Sequence, residues 1–205
     1  MKDFTQLAEK NALDTTVKAL EKNGFKVLVA ENSEEAKKLF FETVPKGASV
    51  MNNTSRTLKD TGIQDILENS GDYDSVHKKV LAMDKEKDGR RINELRSVVD
   101  WAAGSFHAVT QDGHIMIASG SGSQIPGYAY GANHVVFVAG THKVVKDLDE
   151  GLERIYNHSL PLESERINQV YNTTAGSNPR RILIMNTEAN PERTTVILVK
   201  EVLGF

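Results

Sequence analysis

The sequence predicts an α/β fold: a mixed, mainly parallel sheet between helices, with one internal antiparallel hairpin. Three observations predict it. Up to Met51, short apolar runs of strand length alternate with helical patterns, the sequence form of a strand–helix–strand unit. An Asp112-Gly113 pair separates two β-rich runs, a strong hairpin signal because a tight primed turn needs positive φ. Arg181-Ile-Leu-Ile-Met and Thr195-Val-Ile-Leu-Val are continuous apolar runs, as expected of strands buried on both faces.

Taken in order, Phe4, Leu7, Leu13, Val17 and Leu20 fall near helical spacing and Gly24 supplies a stop, so a helix is expected over about residues 3–23. Phe25 to Ala30 is a short strand. Asn32 followed by Glu35 resembles a capping box, and Ala36, Leu39 and Phe40 give the helix after it a buried stripe. Pro45-Lys-Gly breaks that helix, and Ala48 to Met51 forms the next strand. Between Ser70 and Arg96 acidic and basic residues alternate, which reads as a solvated helix surface, with Ile92, Leu95, Val99 and Ala102 on the inner face. Trp101 reads as core or core-edge packing. His134-Val-Val-Phe-Val-Ala is a further strand, Asp147 caps a helix carrying Leu148, Leu152 and Ile155, and Pro161 opens a helical stretch through Val170. No linker or repeat interrupts the 205 residues, so one α/β domain is expected, with the N-terminal helix packed onto it.

Composition excludes several classes. With 39% hydrophobic and 26% charged residues the chain is globular, and a formal net charge of −3 pulls neither nucleic acid nor an acidic membrane toward it. Apolar runs are strand-sized, and Met1 to Gln6 lacks the apolar core of a signal peptide, so the expected compartment is the cytoplasm. The absence of cysteine removes disulfides, thiolate nucleophiles and thiolate metal sites. The six histidines show no two-histidine pattern at helical spacing, and no metal or cofactor is expected.

Three loops follow strands, where ligands of α/β sheets usually sit. They are Asn52-Asn-Thr-Ser-Arg-Thr, the run from Ala118 to Tyr128, and Thr141-His-Lys-Val-Val-Lys. In the second, Gly120 and Gly122 permit close backbone approach, and Ser121 and Ser123 offer hydroxyls. A short helix from about Gln124 to Tyr130 would turn its positive end toward the loop, which suits a carboxylate or phosphate. The run lacks the third glycine of a dinucleotide fingerprint, the Gly-Lys-Ser/Thr ending of a P-loop and the Gly-x-Ser-x-Gly elbow of hydrolases.

Ala108-Val-Thr-Gln-Asp-Gly, Ala118-Ser-Gly-Ser-Gly-Ser-Gln and Gly127-Tyr-Ala-Tyr-Gly-Ala resemble the LUD (lactate-utilisation) domain family. So do Asn53-Thr-Ser-Arg-Thr-Leu, Val138-Ala-Gly-Thr-His-Lys-Val-Val-Lys-Asp-Leu-Asp-Glu-Gly, Leu160-Pro-Leu and Val199-Lys-Glu-Val-Leu-Gly-Phe. The resemblance implies the fold of sugar-phosphate isomerases and CoA transferases. It implies a role beside the iron–sulfur subunits of lactate-oxidising systems; this cysteine-free chain is not itself such a subunit. It also implies a pocket with Asn53, Thr54 and Ser55 on one wall, Gly120, Ser121, Gly122, Ser123 and Gln124 on the other, and Lys143 pairing with an anion. No catalytic base is assigned: Asp112 belongs to its turn, Asp147 to its cap, and Glu201 to the sheet end or solvent. Three functions stay open: an accessory subunit binding a small anionic metabolite, an enzyme acting on a small hydroxy acid, keto acid or phosphosugar, and a scaffold with no ligand. Tyr128, Tyr130 and Phe205 leave open either core packing or a homo-oligomer interface.

Overall fold

The computed structural model describes residues 2–205. In chain order its first half runs α1 (Lys10–Lys22), β1 (Lys26–Ala30), α2 (Ser33–Thr43), β2 (Ser49–Asn52), α3 (Arg56–Asp60), α4 (Ile63–Asn69), β3 (Asp74–Ser75), α5 (Val76–Leu81), α6 (Gly89–Ser97) and β4 (Val99–Gly104). Next come β5 (Ala108–Thr110), β6 (Ile115–Ser119), a π-turn over Gly127–Gly131, β7 (Ala132–Gly140), a 3-10 turn over Thr141–Lys143 and β8 (Val144–Val145). The chain ends with α7 (Leu148–Arg154), a π-turn over Ile155–Ser159, α8 (Leu160–Tyr171), β9 (Arg181–Met185) and β10 (Thr194–Val199).

Six strands in the order β1-β10-β7-β4-β2-β3 form a wholly parallel sheet. β10 and β7 lie at its centre, which is why their sequences are almost unbroken apolar runs. On one face α2, α3 and α4 bury Ala36, Phe40, Leu58, Ile63 and Leu67 against Val50, Val138 and Ile197. The other face carries α1, α5, α6 and the second sheet, which bury Leu13, Leu20, Val80, Ile92, Val109 and Ile115 against Phe137 and Leu198. Asn32 Oδ1 accepts the N–H of Glu35 at 3.0 Å, and Glu35 Oε2 reaches back to the N–H of Glu31 at 2.8 Å, a capping box shifted by one residue.

The hairpin forms, but outside the parallel sheet. β5 and β6 pair antiparallel, with Gly113 at φ +86°, and belong to a separate four-stranded sheet in the order β8-β5-β6-β9. Its outer face packs Ala108, Met116 and Ala118 against Ile155 and Phe4.

Several details differ from the sequence reading. The first helix starts at Lys10, because the Asp3 carboxylate accepts the N–H and Oγ1–H of Thr5 and Gln6 Nε2, tying residues 3–6 into a turn. Phe4 is buried in the outer cluster instead, and Leu7 is exposed. Val99 and Ala102 are not helical: α6 ends at Ser97, and the chain enters β4, where pairing with β2 and β7 outweighs the helical spacing. β9 lies at the edge of the small sheet, so it is only partly buried and Ile184 faces outward. Trp101 stacks on His134 with ring centroids 4.4 Å apart. Tyr128 is core and Tyr130 is exposed. Among the described residues no helix is long and apolar enough to cross a membrane.

Candidate functional site

Because every strand of the large sheet runs the same way, the loops after β2, β4, β7 and β10 meet at one edge. The 3-10 turn after β7 buries the whole side chain of Lys143 there, at 2% exposure. Its Nζ donates to Ser105 Oγ at 3.2 Å, after β4, and to Thr57 Oγ1 at 3.4 Å, on α3. Thr57 Oγ1 in turn donates to the carbonyl of Leu203 at 3.1 Å. These partners are neutral. Burial therefore pushes the Lys143 amine well below its ordinary range, the charge of Arg154 pushes it further, and Asp60 offsets only the smallest part.

Arg154, at the end of α7, is fully buried. Its Nη1 donates to the carbonyl of His107 and to Ser159 Oγ, the latter at 3.0 Å. Nε and Nη2 have no hydrogen-bond partner among the described residues. Burial lowers this guanidinium from its ordinary range to about 10. His142, beside Lys143, is also buried, and neither ring nitrogen has a well-formed partner among the described residues. Burial lowers its pKa to about 2, helped by the charges of Lys143, Arg154 and His158, and the neighbouring Glu201 backbone offsets little of this. His107 accepts the N–H of Ala118 on Nδ1 at 3.1 Å, which places its proton on Nε2; burial, then Lys143 and Arg154, lowers it to about 3.

The electrostatic balance is one-sided. Among the described residues no carboxylate forms an ion pair with Lys143 or Arg154. Asp60 pairs with Arg56 at 2.7 Å, and Glu201 accepts from the N–H and hydroxyl of Ser33, holding the start of α2 to the end of β10. A buried cation without a partner costs several kcal/mol, so the Arg154 guanidinium, with the Lys143 amine as a further donor, makes a site that gains from an anion. Nε–H and Nη2–H form one edge of the guanidinium plane, the edge that binds a carboxylate or phosphate through two parallel hydrogen bonds.

Of the residues read from the sequence, Lys143 lies at the centre of this cluster. Asn53 is buried and bonds Tyr128 Oη, which also lies 3.4 Å from the carbonyl of Ala103. Tyr128 thus joins the β2 loop to the segment leading out of the serine–glycine run. Thr54 is exposed, and Ser55 Oγ caps α3 by accepting the N–H of Leu58 at 3.3 Å. The serine–glycine run spends its polar groups on itself. Ser119 Oγ accepts the N–H of Gly122 at 2.8 Å and donates to Gln124 Oε1 at 2.9 Å, while Ser121 Oγ donates to Ser123 Oγ at 3.0 Å. Gly122 sits at φ +84°, and the Arg181 guanidinium donates to the carbonyl of Ser121 at 3.3 Å. The short helix expected from about Gln124 forms over residues 125–131, its last five residues, Gly127–Gly131, as a π-turn. No hydrogen bond among the described residues joins the run to Lys143. His107 connects the run to Arg154 instead, taking the N–H of Ala118 on its ring and Arg154 on its carbonyl.

Arg154 and Ser105 escaped the sequence reading, whereas Thr57 and His142 lie in two of its three candidate loops without being singled out there. One signal marked Arg154: it falls three residues after Gly151 and one before Ile155, both buried, so it occupies the inner stripe of its helix. The segment after β10 closes the cluster. At Gly204, φ is +63° and a Cβ would stand 2.6 Å from Thr57 Oγ1 and 3.5 Å from Lys143 Nζ. A cavity of about 310 Å³, lined by Arg56, Asp60, Leu162, Arg166, Gly204 and Phe205, abuts that glycine.

These features define a parallel α/β protein with buried cations gathered at the carboxyl edge of its sheet. The chain belongs to the LUD-domain family, whose model matches residues 13–199. The crystal structure of a DUF162 family protein from Deinococcus radiodurans shares the fold, with a TM-score of 0.58 at 11% identity over 95% of this chain and 99% of that one. None of the curated proteins matches the sequence.

Proposed function

We propose that this LUD-domain chain binds a small carboxylate or phosphate at Arg154 and Lys143, as a ligand-binding, accessory subunit in organic-acid (lactate) utilisation alongside iron–sulfur subunits. The observation that carries the reading is the unpartnered Nε/Nη2 edge of a fully buried arginine beside a fully buried lysine. Arg154 supplies two parallel donors, Lys143 a third through Nζ, and the Ser105 and Thr57 hydroxyls orient that amine. Asn53, Thr54 and Ser55 form one flank. Gly120, Ser121, Gly122, Ser123 and Gln124 form the other, coupled to the cations through His107 rather than through direct ligation. The neutral histidines keep the site from accumulating still more positive charge before the anion arrives.

The test is a thermal-shift and calorimetric screen with lactate, pyruvate, glycerate, phosphosugars and acyl-CoA compounds. Wild type is compared with Arg154→Met and with Ser121→Ala/Gln124→Ala. An anion at about a hundred times its dissociation constant stabilises wild type by roughly 2.7 kcal/mol. Arg154→Met loses that gain and the loop variant keeps most of it. A folded wild type that responds to none of these anions overturns the reading.

A further inference from the structure

We propose that Lys143 captures a 2-oxo acid as an imine, its ε-amine condensing with the carbonyl carbon while Arg154 holds the adjoining carboxylate. This rests on the anion-binding reading above and goes beyond it, from a bound anion to a covalent bond with one chemical class of ligand.

The argument begins with what surrounds the amine. A lysine adds to a carbonyl only as the free base, and burial or a neighbouring cation produces that form at neutral pH. Lys143 has both: it is 2% exposed, and Arg154 acts on it electrostatically. Its hydrogen-bond partners, Ser105 Oγ and Thr57 Oγ1, are neutral hydroxyls. A carboxylate in their place would hold the ammonium charged; hydroxyls leave the nitrogen lone pair free and also carry protons.

The ligand class follows from the second cation. Arg154 presents Nε–H and Nη2–H unpartnered, a two-donor edge shaped for a carboxylate, with its Nη1 already committed to His107 and Ser159. A molecule meeting both groups carries a carboxylate and an electrophilic carbon, and a 2-oxo acid is the smallest class that offers both. A hydroxy acid offers no carbon that an amine attacks, and a phosphate monoester places its charge elsewhere. His142 and His107 are neutral there and do not compete for the carboxylate.

The step balances without a redox partner. The Nζ lone pair forms a bond to the carbonyl carbon and the C=O π pair moves to oxygen. That oxygen takes both amine hydrogens, passed through the Ser105 and Thr57 hydroxyls. It then leaves as one water as the C=N bond closes.

Pyruvate is the probe and sodium borohydride the trap, since hydride reduces the C=N bond to a stable secondary amine that peptide mass spectrometry places on a residue. The expected result is one adduct per chain on the peptide carrying Lys143, suppressed by excess propionate, which fills the carboxylate position without a carbonyl. Lys143→Arg, whose guanidinium has no free-base amine to add to a carbonyl, gives no adduct. The wild-type experiment decides the matter even if that variant does not fold. If pyruvate stabilises the protein but no adduct forms, or label spreads over surface lysines, the imine is overturned and the anion site stands. If neither pyruvate nor propionate stabilises the protein, the anion site fails and the imine with it.

Discussion

Replacing Arg154 by methionine tests the energetics of the site without a ligand. The folded protein lowers this guanidinium from its ordinary range to about 10 through burial. At about 1.4 kcal/mol per pKa unit, keeping it charged costs the folded state roughly 3 kcal/mol. Methionine fills a similar length with apolar atoms and removes that cost. It also removes two hydrogen bonds from a charged donor, to the carbonyl of His107 and to Ser159 Oγ, worth about 1.5 kcal/mol each or more. The two effects nearly cancel and leave Arg154→Met about as stable as wild type. Urea unfolding followed by circular dichroism reads this as an unchanged midpoint at constant m-value. An arginine with a buried carboxylate partner behaves in the opposite way, since breaking such a pair costs about 3–5 kcal/mol. A loss of that size in Arg154→Met would show that its charge is already compensated inside the protein, and the reasoning from an unpaired cation would fall.

Acid lowers stability through His142, which is buried, and His107, which is partly buried. His107 and His142 titrate near 3 and near 2 in the folded chain against an ordinary 6.5, so below pH 6.5 the unfolded chain binds protons that the folded one refuses. Their contribution is intact above that pH and falls progressively toward about pH 3, by roughly 2 kcal/mol per histidine at pH 5; urea midpoints that do not change between pH 7.5 and 5 would refute it. Gly104→Ala should cost about 2 kcal/mol, because its Cβ would stand 1.9 Å from the oxygen of buried Tyr128, and a wild-type melting temperature would contradict that packing. Ser119→Ala removes the hydroxyl that accepts from Gly122 and donates to Gln124, so amide exchange across residues 119–124 should accelerate with a stability loss of about 1–2 kcal/mol. Ser121→Ala should accelerate exchange less, since its hydroxyl bonds only to exposed neighbours.

The strands were legible because burial on both faces demands long apolar runs, and β7 and β10 have them. The hairpin was legible from Asp112-Gly113, but its membership of a second sheet was not. Nothing local distinguishes a hairpin that joins the parallel sheet from one that packs against it; α1, wedged against the turn at Gly113, decides that. The loop carrying Lys143 stood out by its place after an apolar strand, and the family resemblance singled out the lysine within it. Arg154 did not, because a charged residue in a helical pattern reads as solvent-facing unless its neighbours on the stripe are weighed first. The serine–glycine run drew attention for a sound reason, its backbone freedom, yet the hydroxyl that organises it belongs to Ser119, one residue before the first of its glycines. Composition marks a loop that turns sharply. It does not say whether the loop turns onto a ligand or onto itself.

The most direct test of the anion site is a crystal structure of the protein grown with propionate. The expected result is a carboxylate with its two oxygens on Nε and Nη2 of Arg154 and Lys143 Nζ nearby, with Ser105 and Thr57 still bonded to that amine. Ordered water alone on those two nitrogens at saturating propionate, or a protein carboxylate turned in to meet them, would contradict it.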